Sequence, residues 1–199
     1  MVAVAKRLLL LMIFSALSVA LTWADTEELG GEFSLTDHNN NPFELRQLQG
    51  KLVLLSFGYT YCPDICPTEL ANLAAVLNEL DDQAGRVQGL FVSLDPGRDT
   101  PEVLYDYVRY FNERLVGLTG SEADVAKVAR QYRVNYQRHE REDGGYSIDH
   151  SANLYLIDGK GKLTAVVPYG MPPKHILDLV RGLMAEDGRD EFPGHENNG

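Results

Sequence analysis

Two cysteines are all this 199-residue chain carries, and both lie in Phe57-Gly58-Tyr59-Thr60-Tyr61-Cys62-Pro63-Asp64-Ile65-Cys66-Pro67. An apolar, strand-like run ends at this stretch and a helix-like run begins there. Residues at i and i+4 share one helix face and rise about 6 Å along its axis. That lies within the Cα separation a disulfide spans. So short a loop constrains the unfolded chain very little, which argues against a structural staple. What remains is a redox pair or a metal site. The positive end of the following helix favours thiolate, and two soft sulfur donors suit Cu(I) better than hard cations.

The start of the chain predicts export. Lys6 and Arg7 precede an apolar run from Leu8, and Thr22-Trp23-Ala24 provides a weak cleavage site. Leu8 to Ala24 is also at the short limit for a spanning helix, with the basic residues staying inside. Residues 1–24 are therefore expected to be a signal peptide or a membrane anchor. Residues 25–184 form one domain, and 185–199 a disordered acidic tail. The expected location is the periplasm, or the periplasmic face of the inner membrane. A formal charge of −11 excludes nucleic acid as a natural partner.

Between these ends strands alternate with helices. Gly31–Leu35 and Phe43–Leu45 read as strands around an Asn-rich turn, an N-terminal hairpin. Leu52–Phe57 is apolar throughout and reads as a strand buried on both faces. Pro67 suits a first helical turn, and Leu70, Leu73, Ala74, Leu77 and Leu80 follow at helical spacing. Val87–Leu94 is the next strand. Thr100-Pro101 and Ser121 each open a helix, with Leu115–Leu118 a short strand between them. Charged Arg138–Asp143 with Gly144-Gly145 predicts an exposed hairpin. Leu154–Ile157 and Leu163–Val167 are paired strands, and Pro172-Pro173 starts the last helix. This order predicts an α/β domain with a mixed sheet, its cysteines at the C-terminal end of a central strand.

Of the five histidines, His38, His139 and His195 sit in polar surroundings that predict solvent exposure. His175 lies beside the apolar face of the last helix and reads as packing or a partial cap. His150 closes Tyr146-Ser147-Ile148-Asp149-His150-Ser151, directly before a buried strand. Asp149 beside it is a candidate to orient its ring. On the residues alone, His150 is equally readable as a ligand or as a structural histidine.

Gly58–Pro67 together with Asp149-His150-Ser151, and with Leu94-Asp95-Pro96 between them, resembles the SCO/SenC family of copper-binding proteins. The similarity runs from Gly30 through the final helix. It implies a thioredoxin-like fold, a central mixed sheet flanked by helices, usually tethered to a membrane. It also implies copper, as Cu(I) and Cu(II), held by Cys62, Cys66 and His150. The implied role is to deliver copper to, or keep reduced, the copper A site of cytochrome c oxidase. The implied partners are the oxidase subunit carrying that site and a second periplasmic copper chaperone. Asp64 and Asp149 match family positions as supporting groups.

The principal rival is a thiol-disulfide oxidoreductase, with Cys62 and Cys66 as its catalytic redox pair. If the chain is an enzyme, this is the activity expected. Ordinary thioredoxin-like enzymes have two residues between their cysteines, and a proline near the position of Ala152. Here three residues separate the cysteines, which disfavours general oxidoreductase activity but leaves room for a reductase dedicated to one partner. A peroxiredoxin-like reading needs Thr and Pro where this chain has Tyr59 and Leu55.

Overall fold

The computed structural model describes residues 29–142 and 144–190. The leader at 1–24 and His195 lie outside the described residues. The strands are β1 (Ser34–Asp37), β2 (Pro42–Glu44), β3 (Leu52–Gly58), β4 (Val87–Ser93), β5 (Leu115–Thr119), β6 (Tyr136–Glu140), β7 (Tyr146–His150), β8 (Leu154–Ile157) and β9 (Leu163–Val167). The helices are α1 (Ile65–Asn78), α2 (Pro101–Phe111), α3 (Glu122–Gln131) and α4 (Pro173–Asp190). Seven strands form one sheet in the order β2-β1-β5-β4-β3-β8-β9. β3, β4 and β5 run parallel, while β1, β8 and β9 join antiparallel. This is the mixed α/β, thioredoxin-like architecture with its N-terminal β1–β2 hairpin.

β3 shows why its sequence is apolar without alternation. Leu52 and Leu54 face a core layer built from α1, α2 and α4. Val53, Leu55 and Phe57 face the opposite layer, against α3 and the β1–β2 hairpin. A central strand covered on both faces has no polar side to display. The predicted caps are formed: Thr100 Oγ1 accepts from the Val103 N–H, and Ser121 Oγ accepts from the Asp124 N–H.

The C-terminal boundary moves. Helix α4 continues to Asp190, so residues 185–190 are helical rather than part of a disordered tail. Met184 is buried, and its carbonyl accepts from Arg86, which secures the turn from which the helix runs on. Ala185 and Glu186 are good helix formers, and one glycine lowers propensity without ending a helix. No helix among the described residues is long and apolar enough to cross a membrane.

Two features position the site. Gly58 at the end of β3 is registered against Ser93 at the end of β4, so the loops that follow leave the sheet side by side. The β6–β7 hairpin is a separate two-stranded sheet, and every residue of β6 is exposed.

Candidate metal centre

The cysteine loop packs more tightly than a strand end requires. Gly58 has no room for a side chain: a Cβ there would stand 2.5 Å from Cys66 Sγ and 2.9 Å from the Phe91 ring. Helix α1 starts at Ile65, so Pro67 lies in its first turn, as the sequence predicts, and Cys66 lies there with it. The Cys62 N–H donates to the Tyr59 carbonyl at 3.2 Å, and the Thr68 N–H to the Asp64 carbonyl at 3.3 Å. Thr60 is gripped from the neighbouring loop, its N–H and Oγ1 donating to the Asp99 carboxylate at 3.0 and 2.6 Å. Tyr59, Cys62, Cys66 and Ile148 form a small apolar cluster of their own. Cys62 is 8% exposed and Cys66 1%, so a partner reaches the pair through Cys62.

His150 ends β7 and meets this loop. Its Nε2 lies 3.2 Å from Cys66 Sγ, and its Nδ1 lies 3.1 Å from the Ser151 carbonyl oxygen. To ligate a metal through Nε2 the ring must carry its proton on Nδ1, where the Ser151 carbonyl stands ready to accept it. The Tyr59 ring backs the imidazole edge-to-face at 6.0 Å, while the Tyr59 hydroxyl accepts from the Ile148 N–H at 3.2 Å. The ligand atoms of Cys62, Cys66 and His150 all lie within 4.8 Å of one another. Among the described residues this is the one group of three or more His, Cys, Asp and Glu side chains placed to share an ion.

The supporting carboxylates are not where the sequence put them. Asp149 points away from His150, because successive strand residues face opposite sides. It pairs instead with exposed His139, Nε2 to Oδ2, at 3.2 Å. Asp64 is exposed, and its side chain makes no capping bond to α1. His38 is buried rather than solvated. Its Nδ1 accepts from the Gly117 N–H at 3.1 Å and its ring packs edge-to-face on Tyr105. Burial lowers its pKa, and nearby Arg109 lowers it further against the pull of Asp37. His175 is exposed in the first turn of α4.

The sequence also missed groups that shape the site. Asp99 is fully buried and accepts from Ser93 Oγ as well as from Thr60. Burial raises its pKa against those hydrogen bonds. Arg98 stacks beside the cysteine loop. Glu69, three residues beyond Cys66, has its Oε1 buried without a hydrogen-bond partner. Desolvation, then the nearby Cys62 charge, pushes Glu69 up to about 8. A sequence signal existed for Glu69: an acid beside Leu70 and Leu73, on the helix face that carries Cys66.

The two thiols are unequal. A hydrogen bond from the Cys66 thiol brings Cys62 down to about 4, helped against burial by the backbone amides of Cys66 and Asp64 and by His150. Cys66 moves the other way, because it shares its proton with Cys62 and is deeply buried. The two shifts are opposite in direction and favour the charge on outward Cys62 and the proton on inward Cys66. Two sulfurs and an imidazole nitrogen are a soft donor set, suited to a soft or borderline cation and poorly matched to magnesium or calcium.

The SCO1/SenC family model matches residues 22–185. The chain belongs to the SCO1/SenC family. It is 36% identical over 162 residues to the SCO2-like protein of Rickettsia felis, covering 80% of this chain and 79% of that one. It is 44% identical over 156 residues to the mitochondrial protein SCO2 of Saccharomyces cerevisiae, covering 77% of this chain but only 52% of that longer protein. Its structure superposes on copper-bound ScoI of Arabidopsis thaliana with a TM-score of 0.73 and 37% identity, covering 81% of this chain and 99% of that one. SCO1/SenC membership and the thioredoxin-like fold thus agree with the resemblance carried by Gly58–Pro67 and Asp149-His150-Ser151.

Proposed function

We propose that this chain is a copper-binding metallochaperone, with Cys62, Cys66 and His150 as the residues that hold its cargo. The observation that carries the reading is the convergence of Cys66 Sγ and His150 Nε2 at 3.2 Å, with Cys62 Sγ in the same group. The copper bound by the Arabidopsis relative supports the choice of metal. Three protein donors leave a coordination position for an incoming thiolate. Cu(I) therefore passes to a partner by ligand exchange, with no unfolding of the site. The Cys62 thiolate is the accessible member of the pair and makes first contact. The Cys66 thiol gives up its proton as Cu(I) enters, so binding strengthens as pH rises. Membership of the SCO1/SenC family supports the copper A subunit of cytochrome c oxidase, at the periplasmic face of the membrane, as the recipient.

A second reading is favoured by the inequality of the two thiols. The Cys62 thiolate attacks a disulfide of the partner, and one partner sulfur leaves as thiolate. Cys66, once deprotonated, then attacks Cys62 Sγ, closing the Cys62–Cys66 disulfide and freeing the second partner thiolate. The partner gains two electrons and the cysteine pair loses them. One experiment weighs both readings. Reduced protein is titrated with Cu(I) against a chelator of known affinity, and in parallel is mixed with an oxidised peptide carrying a copper A-type cysteine pair. One tightly held Cu(I) per chain is the expected result. Failure to hold Cu(I), with rapid peptide reduction, overturns the chaperone reading in favour of the reductase.

A further inference from the structure

His150 is carried by a hairpin that the main sheet does not hold. β6 and β7 pair only with each other, and an isolated two-stranded ribbon is marginal in water. Something outside the hairpin must set how far His150 stands from the cysteines. The loop between β4 and α2, Leu94–Thr100, lies against both halves of the site. Its Asp99 holds Thr60 of the cysteine loop. Its Arg98 reaches across to the hairpin, where Nη1 donates to the Tyr146 carbonyl at 3.2 Å. The Arg98 guanidinium lies 3.6 Å from the centre of the Tyr146 ring and 4.7 Å from that of Tyr61, the residue before Cys62. Arg138 of β6 stacks on Tyr146 as well, also at 3.6 Å, so that ring is shared by two guanidiniums.

Arg98 is itself held. Asp95 pairs with its Nε through Oδ2 and accepts from the Tyr146 hydroxyl through Oδ1 at 2.7 Å. The Asp95 N–H donates to Ser93 Oγ at 3.0 Å, fixing Asp95 to the end of β4. A planar fork that pairs with a carboxylate at one edge and stacks on aromatic faces is a role lysine cannot fill. The chain of contacts runs from the rigid sheet through Asp95 to Arg98, and from Arg98 to both Tyr61 and Tyr146. Tyr146 begins the strand that His150 ends.

We propose that Arg98 is the positioning residue of this centre, setting the place of His150 relative to Cys62 and Cys66. The inference rests on the reading of these three residues as copper ligands, and it makes Arg98 act chiefly through His150, by way of Tyr146. The test is a double-mutant cycle on full-length protein. Cu(II) affinity is measured by competition for wild type, Arg98→Gln, His150→Ala and the double variant. Thiolate-to-copper absorption and imidazole-nitrogen hyperfine structure are recorded for each. Arg98→Gln should lose at least tenfold in Cu(II) affinity and broaden or lose the imidazole signature, while thiolate absorption persists. In the His150→Ala background the same substitution should cost little further. Wild-type affinity in Arg98→Gln, or an equal loss in both backgrounds, overturns the proposal. If Arg98→Gln does not fold, Arg98→Lys and Tyr146→Phe enter the same cycle. A readout without metal keeps the two readings apart: in reduced apo-protein, nuclear Overhauser contacts between the His150 and Tyr59 rings should vanish in Arg98→Gln. If wild type binds no copper, the metallochaperone reading fails and this contact alone decides the positioning claim.

Discussion

Cys66 Sγ and His150 Nε2 lie 3.2 Å apart although 84 positions separate the two residues in the chain. Neither side chain gains this placement from its own element. Cys66 is brought there by Gly58, whose missing Cβ leaves the space the sulfur occupies. His150 is brought there by a hairpin anchored through Ile148 and Tyr146.

The histidines separate by measurement. His150→Ala should cut copper affinity by at least tenfold, ~1.4 kcal/mol or more. The loss should be larger for Cu(II), since two thiolates alone hold Cu(I) linearly while Cu(II) needs further nitrogen or oxygen donors. His139→Ala, His175→Ala and His195→Ala should bind like wild type. His38→Ala should also bind like wild type yet melt lower, because it leaves the buried Gly117 N–H without its acceptor. Competition titrations in both oxidation states, with thermal melts, check all five. Unchanged affinity in His150→Ala would remove it from the ligand set.

Cysteine substitutions should divide in the same way. Cys62→Ser and Cys66→Ser should each abolish tight Cu(I) binding, because each removes half the sulfur donors. Their stabilities should differ. Cys66 is packed beside Tyr59 and Ile148, so a serine hydroxyl there is buried and should cost about 1–2 kcal/mol. Cys62 is buried less completely, at 8% exposure against 1%, and should cost less. Chemical denaturation of the two apo-variants side by side is the check, and equal stability would mean Cys66 is less confined than its contacts indicate.

The parts of this site that were legible in the sequence are those written locally. The cysteine pair, the run ending in His150, the caps at Thr100 and Ser121 and the exposed hairpin all follow from spacing, turn residues and periodicity. Burial of His38 was not legible, because it depends on β1 pairing with β5 some 80 residues away. The contacts of Arg98 and Asp99 were hidden for the same reason: their partners lie on the cysteine loop and the hairpin. The direction of Asp149 was legible and missed. Strand alternation sets it opposite both Ile148 and His150, and Ile148 faces the cysteines.

Gly58 offers a test of packing behind the metal site. Gly58→Ala places a methyl against Cys66 Sγ and the Phe91 ring, both inside normal contact distance. Phe91 is in the core and cannot swing away, so the cysteine loop must move. Overpacking of this kind costs about 1–3 kcal/mol. Copper affinity should fall together with stability. A Gly58→Ala variant with wild-type melting and wild-type Cu(I) affinity would show that the loop yields freely.

Glu69 should make stability depend on pH in a direction opposite to most acidic residues. Its carboxyl is pushed from an ordinary 4.5 up to about 8, by desolvation first and the Cys62 charge second. The folded state therefore holds a proton here that the unfolded chain releases between about pH 4.5 and 8. Unfolding then binds fewer protons than it releases, and stability falls as pH climbs through that window. Below it both states are protonated and the group costs nothing; above it both are ionised and the cost is complete. A Glu69→Gln variant keeps the shape and loses the charge. Each pH unit between folded and unfolded midpoints corresponds to about 1.4 kcal/mol, so the shift from 4.5 to about 8 should leave Glu69→Gln more stable than wild type by on the order of 4 kcal/mol at pH 8. At pH 4 the two should be equal. Urea unfolding of reduced apo-protein at several pH values reads this difference directly. The comparison with Glu69→Gln also cancels the opposite contribution of Cys62, whose depressed pKa takes stability away as pH falls towards 4. A stability gap that does not grow between pH 4 and pH 8 would mean that Glu69 is ionised in the folded protein at neutral pH and has found a partner for its buried oxygen.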